Sequence, residues 1–342
     1  MEELSRLGDE QIVFPGLGLE FEIGKDAFSI FGLSIKWYGI CIAIGLLLAL
    51  VYCFKQARRV GLESDRLVDA VMAGVVGAVI GARGYYVALH ADSFHDIKDI
   101  IAIRDGGLAI YGGIIGGLLF GCITAKLRGL RVRPAIDLAA MGFFIGQACG
   151  RWGNFFNQEC FGGNTSLPWG MSGGIIQTYL LRSQAALAVQ GMDVDPYLPV
   201  HPCFLYESLW CAAGFLVLHF LIRRRKFDGE LFCVYVIWYG MGRFVIEGMR
   251  TDSLYIGSVR ASQALALISA AAGAVVLVIG LLNAKKKGVH LYCDTDESKR
   301  LIAEADREVL EQEQAAKAKK AKKNELSPEQ RIVDDEDEKG ES

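Results

Sequence analysis

The chain has 342 residues, of which 52% are hydrophobic, and its mean hydropathy is +0.30. Apolar runs of membrane length recur along it, which excludes an ordinary soluble globular domain and predicts a polytopic membrane protein. The net charge of −3 says little, because most charged residues lie in short loops and in the tail after residue 284.

Three regions follow from the distribution of apolar residues. Residues 1–30 are a polar N-terminal segment, residues 31–284 contain the apolar runs, and residues 285–342 form a charged tail. The tail is dense in Ala, Glu and Lys and then becomes acidic. This composition predicts a charged helix through residues 304–323 followed by disorder, with no catalytic role.

Seven membrane-spanning helices are predicted, so the expected fold class is an all-α polytopic membrane protein. The predicted spans are residues 31–54, 65–89, 108–125, 135–149, 203–222, 230–247 and 262–282. Each is near the ~20 residues that cross the hydrocarbon core, apart from the fourth, which is short. The segment of about residues 155–202 is too long for a simple connector and predicts a small folded cap, with a helix through residues 176–190.

Lysine and arginine in the loops predict the direction of the spans. Basic clusters follow the first, third, fifth and seventh spans, whereas the opposite loops carry only pairs of basic residues. Basic loops face the cytoplasm, so we expect the N-terminus and the cap outside and the C-terminus in the cytoplasm.

Nine cysteines are present, and most of them lie inside the apolar runs. The sequence has no C-x-x-C pair and no Cys/His spacing that suits a metal, so most are interpreted as small core residues. Cys160 and Cys203 fall near the same predicted membrane face. No metal or nucleotide motif is present, and the sequence therefore predicts no cofactor and no nucleic-acid partner.

The polar residues at membrane depth gather towards the outer ends of the predicted spans. They include Tyr38, Arg83, Tyr111, Arg151, Asn154, Asn157, Glu159, His201, Tyr239, Arg243 and Glu247. A charge in hydrocarbon is costly, so such residues face a cavity or a partner. Arg243 and Glu247 share one helical face, and a structural ion pair explains that pair about as well as a ligand does. Several arginines with few carboxylates nevertheless favour a phosphate, and their place suggests a phospholipid headgroup.

Residues 150–163, GRWGNFFNQECFGG, closely resemble the signature of bacterial prolipoprotein diacylglyceryl transferases, G-R-x-G-N-F-x-N-x-E-x-x-G. Five further segments resemble motifs of that family in the same order. They are IKWYGI at 35–40, GARGYYV at 81–87, GGLAIYGGIIGG at 106–117, HPCFLYE at 201–207 and YGMGRFVIEGMR at 239–250. The resemblance covers roughly residues 20–285 and agrees with the predicted topology.

The resemblance implies an enzyme of the bacterial cytoplasmic membrane, with its active site towards the outer leaflet. The reaction of the family transfers diacylglycerol from phosphatidylglycerol to the lipobox cysteine thiol of a preprolipoprotein signal peptide, and releases glycerol phosphate. The resemblance, together with the placement of the polar residues, implies that Arg151, Glu159, Arg243, Glu247 and Tyr111 are catalytic residues. The implied lipid-binding residues are Arg151, Asn154, Arg243, Tyr38, Tyr239, Arg83, Gly162, Asn157 and His201.

One departure from the family concerns the proton acceptor, because some members have a histidine where this chain has Tyr111. A tyrosine with an ordinary pKa near ~10 is a poor base unless arginines depress that pKa. Glu159, Glu247 and Tyr111 therefore all stay open as relays for the thiol proton.

Two other classes of protein fit part of the pattern. A transporter usually has internal repeats and a site near the midplane of the membrane, whereas this sequence has no convincing repeat and its polar groups lie towards one face. A lipid-binding scaffold without catalysis is the second alternative. The presence of the full set of polar residues at the outer ends of the spans argues against it.

Overall fold

The structure, a computed structural model, describes residues 5–30, 32–91, 94, 96–101, 107–251, 255–256 and 259–325. The predicted start of the first span at Phe31 and the acidic end of the tail lie outside the described residues. The chain divides into two compact units. One contains Met1–Val60 and Ala125–Leu291, and the other contains Gly61–Thr124 and Tyr292–Ser342.

Helices dominate the described part of the chain. They are α1 Trp37–Ala57, α2 Ser64–Leu89, α3 Ile97–Ile101, α4 Ile110–Leu127, α5 Val132–Asn157, α6 Gly174–Val189, α7 Cys203–Leu221, α8 Glu230–Met249, α9 Ala261–Lys287 and α10 Asp296–Glu325. The strands are β1 Gln11–Phe14, β2 Leu19–Glu22, β3 Asp26–Ile30, β4 Leu33–Lys36, β5 Ser172–Gly173, β6 Tyr255–Ile256 and β7 Val259–Arg260. The fold is therefore mostly helical, but the expectation of an all-α chain was wrong for these short strands.

Five helices among the described residues, α1, α2, α7, α8 and α9, are long and apolar enough to cross a membrane. A shorter apolar helix covers Tyr111–Leu127 within α4. All seven predicted spans thus contain a helix, and the prediction of a polytopic membrane protein is confirmed at this coarser level. Seven crossings and their direction stay predictions.

Two predicted boundaries were wrong, and both errors affect the placement of polar residues. The first long helix begins at Trp37 because β3 and β4 form an antiparallel hairpin, whose turn contains Gly32 with φ +79°. The fourth predicted span lies within a longer helix, since α5 has 26 residues and ends at Asn157. Gln158 ends this helix in the left-handed conformation, so Arg151 and Asn154 lie on the helix itself.

A small sheet joins the N-terminal segment to the cap. Strand β1 pairs antiparallel with both β2 and β5. The side-chain amide of Gln158 donates to the carbonyl of Asp9 at 2.6 Å, and its Oε1 accepts from the N–H of Ile175 at 2.9 Å. Ile12, Phe155, Met171, Ile176, Leu180, Val200, Phe204 and Ile246 belong to the same buried cluster. The cap is therefore anchored to the C-terminal end of α5 and to the neighbouring ends of α7 and α8.

The second unit depends on close contact between the backbones of α2 and α4. A Cβ added to Gly74 would lie 3.3 Å from the carbonyl oxygen of Gly117, and one added to Gly81 would lie 2.8 Å from the Cα of Gly116. Such small residues let membrane helices approach closely. The predicted tail helix is present in this unit as α10, and the Ser298 hydroxyl donates to the carbonyl of Gly61 at 2.8 Å.

Candidate active site

A short segment after α5 ties together the ends of three helices. The N–H of Gly162 donates to the carbonyl of His201, just before α7, at 2.8 Å. The N–H of Gly163 donates to the carbonyl of Met249, at the end of α8, at 3.2 Å. These backbone bonds bring the C-terminal ends of α5 and α8 beside the N-terminal end of α7.

The atoms around Gly162 at this junction leave little room for a side chain. A Cβ at that position would lie 2.8 Å from the carbonyl oxygen of Met249, 3.0 Å from Cβ of His201 and 3.1 Å from Sγ of Cys203. The first separation is shorter than a Cβ atom tolerates against backbone, and the other two are tighter than most such contacts. Gly162 therefore supports the site through its lack of a side chain, whereas a role in lipid binding stays a prediction.

Glu207 in the first turns of α7 is the common partner of three arginines, one on α5, one on α8 and one directly after α8. Its carboxylate contacts Nε of Arg151 at 2.5 Å, Nη1 of Arg243 at 2.7 Å and Nη1 of Arg250 at 4.0 Å. Glu207 is only 4% exposed. A buried carboxylate needs such partners, because removal of an unpaired charge from water is costly.

Glu247 provides the second carboxylate of the cluster. Its Oε2 lies 2.6 Å from Nη2 of Arg243 and 3.9 Å from Nη1 of Arg250, and the residue is 2% exposed. The ion pair of Arg243 with Glu247 along one helical face, one of the two readings that the sequence left open, is present in the structure. Arg260 also donates to the backbone carbonyl of Glu247 and so fixes the end of α8.

Three arginines and two buried carboxylates leave this cluster with one net positive charge. Both terminal nitrogens of Arg243 are bonded to carboxylates, whereas Arg151 contacts Glu207 through Nε. The Nη1 atom of Arg151 lies 3.4 Å from Oδ1 of Asn154. Nη1 of Arg151 therefore lies beside Asn154 and keeps a second hydrogen that can donate to an anion.

Asn154 links the arginine cluster to Glu159. Its Nδ2 donates to Oε2 of Glu159 at 3.3 Å, and Glu159 is exposed. Glu159 stands between Gln158 and Cys160, which have φ values of 55° and 58°. This left-handed turn places a carboxylate at the open side of the cluster. Asn157, in the last turn of α5, is half-buried.

Two predicted tyrosines belong to the same unit as the arginines. The ring of Tyr38 packs against Gly153, where an added Cβ would lie 2.5 Å from its Cδ2. Tyr239 is half-buried one helical turn before Arg243 and stacks on Tyr235, with ring centroids 5.9 Å apart.

His201 contacts another aromatic residue of the cap. Its Nδ1 lies 3.1 Å from the hydroxyl of Tyr206, which also accepts from Nε1 of Trp169 at 2.9 Å. Burial lowers the pKa of the His201 imidazole, which favours the neutral form near pH 7. Its backbone carbonyl accepts from the N–H of Gly162, so His201 is part of the junction. Its role in lipid binding stays a prediction.

The remaining two predicted residues, Arg83 and Tyr111, belong to the second compact unit. Arg83 is 8% exposed and donates to the carbonyls of Ile100 at 2.8 Å, Asp99 at 2.6 Å and Gly107 at 2.9 Å. Its donors hold the connection between α2 and α4, a structural role that the sequence did not predict. Tyr111 is 61% exposed at the start of α4.

Comparison with known proteins identifies the chain. Residues 25–279 match the family model described as prolipoprotein diacylglyceryl transferase. The chain belongs to this family. It is 38% identical to a relative from Clostridioides difficile over 253 residues, which are 74% of this chain and 93% of the relative. Relatives from Finegoldia magna (39% over 254 residues, 74% and 94%) and Enterococcus faecalis (37% over 270 residues, 78% and 94%) are similar.

All three relatives carry the name phosphatidylglycerol–prolipoprotein diacylglyceryl transferase. The resemblance inferred from the sequence motifs is therefore confirmed. Within the described residues of this family member, no three His, Cys, Asp or Glu side chains are grouped so that they could hold a metal ion.

Glu207 and Arg250 were not assigned to the site from the sequence, although both belong to the polar residues at the outer ends of the predicted spans. Both lie in segments that resemble family motifs, but neither was assigned a role. A signal was available for Glu207, because a carboxylate near the start of an apolar span must have a cationic partner. The choice among several arginines could only be made once the three helix ends were in place.

Proposed function

We propose that this chain transfers the diacylglyceryl group of phosphatidylglycerol to the lipobox cysteine of preprolipoproteins, the first step of bacterial lipoprotein maturation. The observation that carries the proposal is the buried cluster of Arg151, Arg243 and Arg250 around Glu207 and Glu247 in a member of the family named for this reaction. Its net positive charge suits a lipid phosphate.

The reaction breaks a carbon–oxygen bond of the lipid. The cysteine thiol loses its proton, and the thiolate sulfur forms a bond to the glycerol carbon that carries the phosphate. The bond from that carbon to the phosphate oxygen breaks, and its electron pair leaves with glycerol phosphate. A free cysteine titrates near ~8.5, so a proton acceptor or a positive field accelerates the step.

Arg151 is proposed to stabilise the leaving group. Negative charge grows on the phosphate as the carbon–oxygen bond breaks, and donors fixed in advance lower the energy of that transition state. Its contact with Glu207 fixes the guanidinium, and Asn154 accepts from Nη1 of Arg151. The amide of Asn154 donates one hydrogen to Glu159 and has a second that can serve as a neutral donor. Arg243 contributes positive charge and holds the two carboxylates together.

Glu159 is the proton acceptor that the geometry favours among the three candidates. Protonation of Glu247 would break its 2.6 Å ion pair with Arg243, whereas Glu159 is exposed and its carboxylate contacts the neutral Asn154. Tyr111 stays a candidate because it occupies the position at which some family members have a histidine.

The proposed membrane arrangement has seven spans, in which α4 and α5 cross in addition to the five apolar helices. The basic clusters between the spans support an N-terminus outside and a C-terminal tail in the cytoplasm. The arginine cluster then lies towards the outer leaflet of the bacterial cytoplasmic membrane, beside the cap. This location gives access to phosphatidylglycerol and to the signal peptides of exported preprolipoproteins.

The decisive experiment is a transfer assay with purified protein in detergent. Phosphatidylglycerol is mixed with a lipobox peptide or with the same peptide carrying Cys→Ser, and products are read by mass spectrometry. A diacylglyceryl mass gain on the cysteine peptide alone, with release of glycerol phosphate, is expected. Folded protein that binds the lipid but gives no product would instead indicate a lipid-binding scaffold.

A further inference from the structure

A neutral polar layer lies one helical turn away from the charged cluster. Gln147, Tyr235 and Cys211 are each four residues from Arg151, Tyr239 and Glu207 on α5, α8 and α7 respectively. Nε2 of Gln147 donates to the hydroxyl of Tyr235 at 2.9 Å, and the thiol of Cys211 lies 3.8 Å from Oε1 of Gln147. The layer is on the side of the cluster away from the cap.

The layer retains two hydrogen-bond donors. The hydroxyl of Tyr235 accepts from Gln147, which leaves its own hydrogen to donate, and the amide of Gln147 has a second hydrogen. Within the described residues, no protein acceptor is found for either of them. Both residues are half-buried and not fully enclosed by the protein. A donor without an acceptor at membrane depth is costly, which favours a ligand that supplies acceptors.

Aromatic rings surround these donors. The ring of Tyr235 lies 4.7 Å from Phe144, 5.8 Å from Phe143 and 6.1 Å from Phe232, between centroids. Phe143 is 42% exposed. Donors beside exposed apolar surface suit a molecule whose acceptor groups continue directly into hydrocarbon.

We propose that Gln147 and Tyr235 bind the ester carbonyl oxygens of the lipid whose phosphate contacts Arg151; this inference rests on the proposed function. Four helical residues correspond to roughly 6 Å along the helix, about the reach from a lipid phosphate to its ester carbonyls. An ester carbonyl accepts hydrogen bonds and cannot donate them, which matches the two donors. The subsite holds the diacylglyceryl group in place while the phosphate leaves.

The test compares phosphatidylglycerol with its diether analogue, in which alkyl chains of equal length are joined without carbonyl groups. Both lipids keep the carbon–oxygen bond that reacts, so kcat/KM for each can be measured with the same lipobox peptide. The native protein is expected to prefer the diester by about threefold to tenfold, the range that one or two hydrogen bonds provide. Gln147→Leu and Tyr235→Phe should each lower this ratio, and the double variant should bring it close to one.

Tyr52→Phe is the matched control. It removes a comparable contact between α1 and α7, in which the Tyr52 hydroxyl lies 2.7 Å from Nδ1 of His219, and it should keep the native ratio. The ratio is internal to each protein, so partial loss of folded protein does not alter it.

Three results would overturn the inference. Equal transfer from the two lipids by the native protein would exclude the proposed subsite, whereas the proposed function would still hold. An unchanged ratio in both variants, with a raised KM for the peptide, would place the peptide at these donors. Absence of transfer from either lipid by the folded native protein would overturn the proposed function, and the subsite with it.

Discussion

Arg151 of α5 and Glu207 of α7 are joined by a 2.5 Å contact between Nε and Oε2, with only 20% and 5% of their side chains exposed. The contact uses Nε of the guanidinium, and Nη1 lies 3.4 Å from Oδ1 of Asn154. The orientation of Arg151 therefore depends on a carboxylate from another helix, which leads to the first prediction.

Glu207→Gln should abolish most of the transfer activity and destabilise the protein. Its neutral amide cannot balance three arginines, and loss of one partner from a buried ion pair typically costs about 3–5 kcal/mol. Unfolding of the detergent-solubilised variant and its kcat/KM should be measured together. Glu304→Gln is the control, because its pair with Arg300 is exposed and should contribute only about 0–1 kcal/mol. Native stability and activity in Glu207→Gln would contradict the assigned role.

Arg243→Ala should abolish transfer while the protein still inserts in the membrane. Arg243→Lys should also lose most activity, because one ammonium group cannot reproduce the bonds of two guanidinium nitrogens to Glu207 and Glu247. Transfer rates normalised to membrane-inserted protein provide the measurement. Near-normal rates in the lysine variant would refute the two-carboxylate bridge.

Gly162→Ala should separate the ends of the three helices. Its new Cβ would press on the carbonyl of Met249, and overpacking of this kind costs typically about 1–3 kcal/mol. Reduced thermal stability and reduced kcat/KM are expected. Gly163→Ala is the neighbouring control, since no atom lies within 4 Å of its added Cβ. Equal stability of the two variants would show that the junction tolerates a side chain.

Arg83→Gln tests whether Arg83 holds the connection between α2 and α4 or binds lipid phosphate. The glutamine can satisfy at most part of the three backbone carbonyls, and each buried group left without a partner costs about 1–3 kcal/mol. We expect faster proteolysis between α2 and α4 and a smaller change in KM for the lipid. Exposed Arg182 on α6 supplies the control Arg182→Gln, for which neither quantity should change. A raised lipid KM with a native cleavage pattern would favour phosphate binding.

Tyr111→Phe distinguishes a proton relay from an apolar role of this side chain. If the hydroxyl relays the thiol proton, kcat should fall by about 10²-fold or more, the scale of general acid–base catalysis. With Glu159 as the acceptor, we expect Tyr111→Phe to retain activity and Glu159→Gln to lose it. The two variants should be compared by single-turnover transfer to the same peptide. The reverse order of effects would move the acceptor to Tyr111.

The sequence alone predicted the membrane class, the helical segments, the family and most residues of the candidate site. These features are local, because span length, apolar composition and motif order are all properties of neighbouring residues. The pairing of Arg243 with Glu247 was predictable for the same reason, since a helix places residues four apart on one face.

Only the tertiary structure decided which residues act together. Glu207 gathers arginines from two other helices, Arg83 holds backbone carbonyls between α2 and α4, and β1 pairs with β5 across a long stretch of chain. Each of these contacts joins positions far apart in sequence. They depend on how the helix ends pack against each other, and no local pattern of apolar and charged residues specifies that packing.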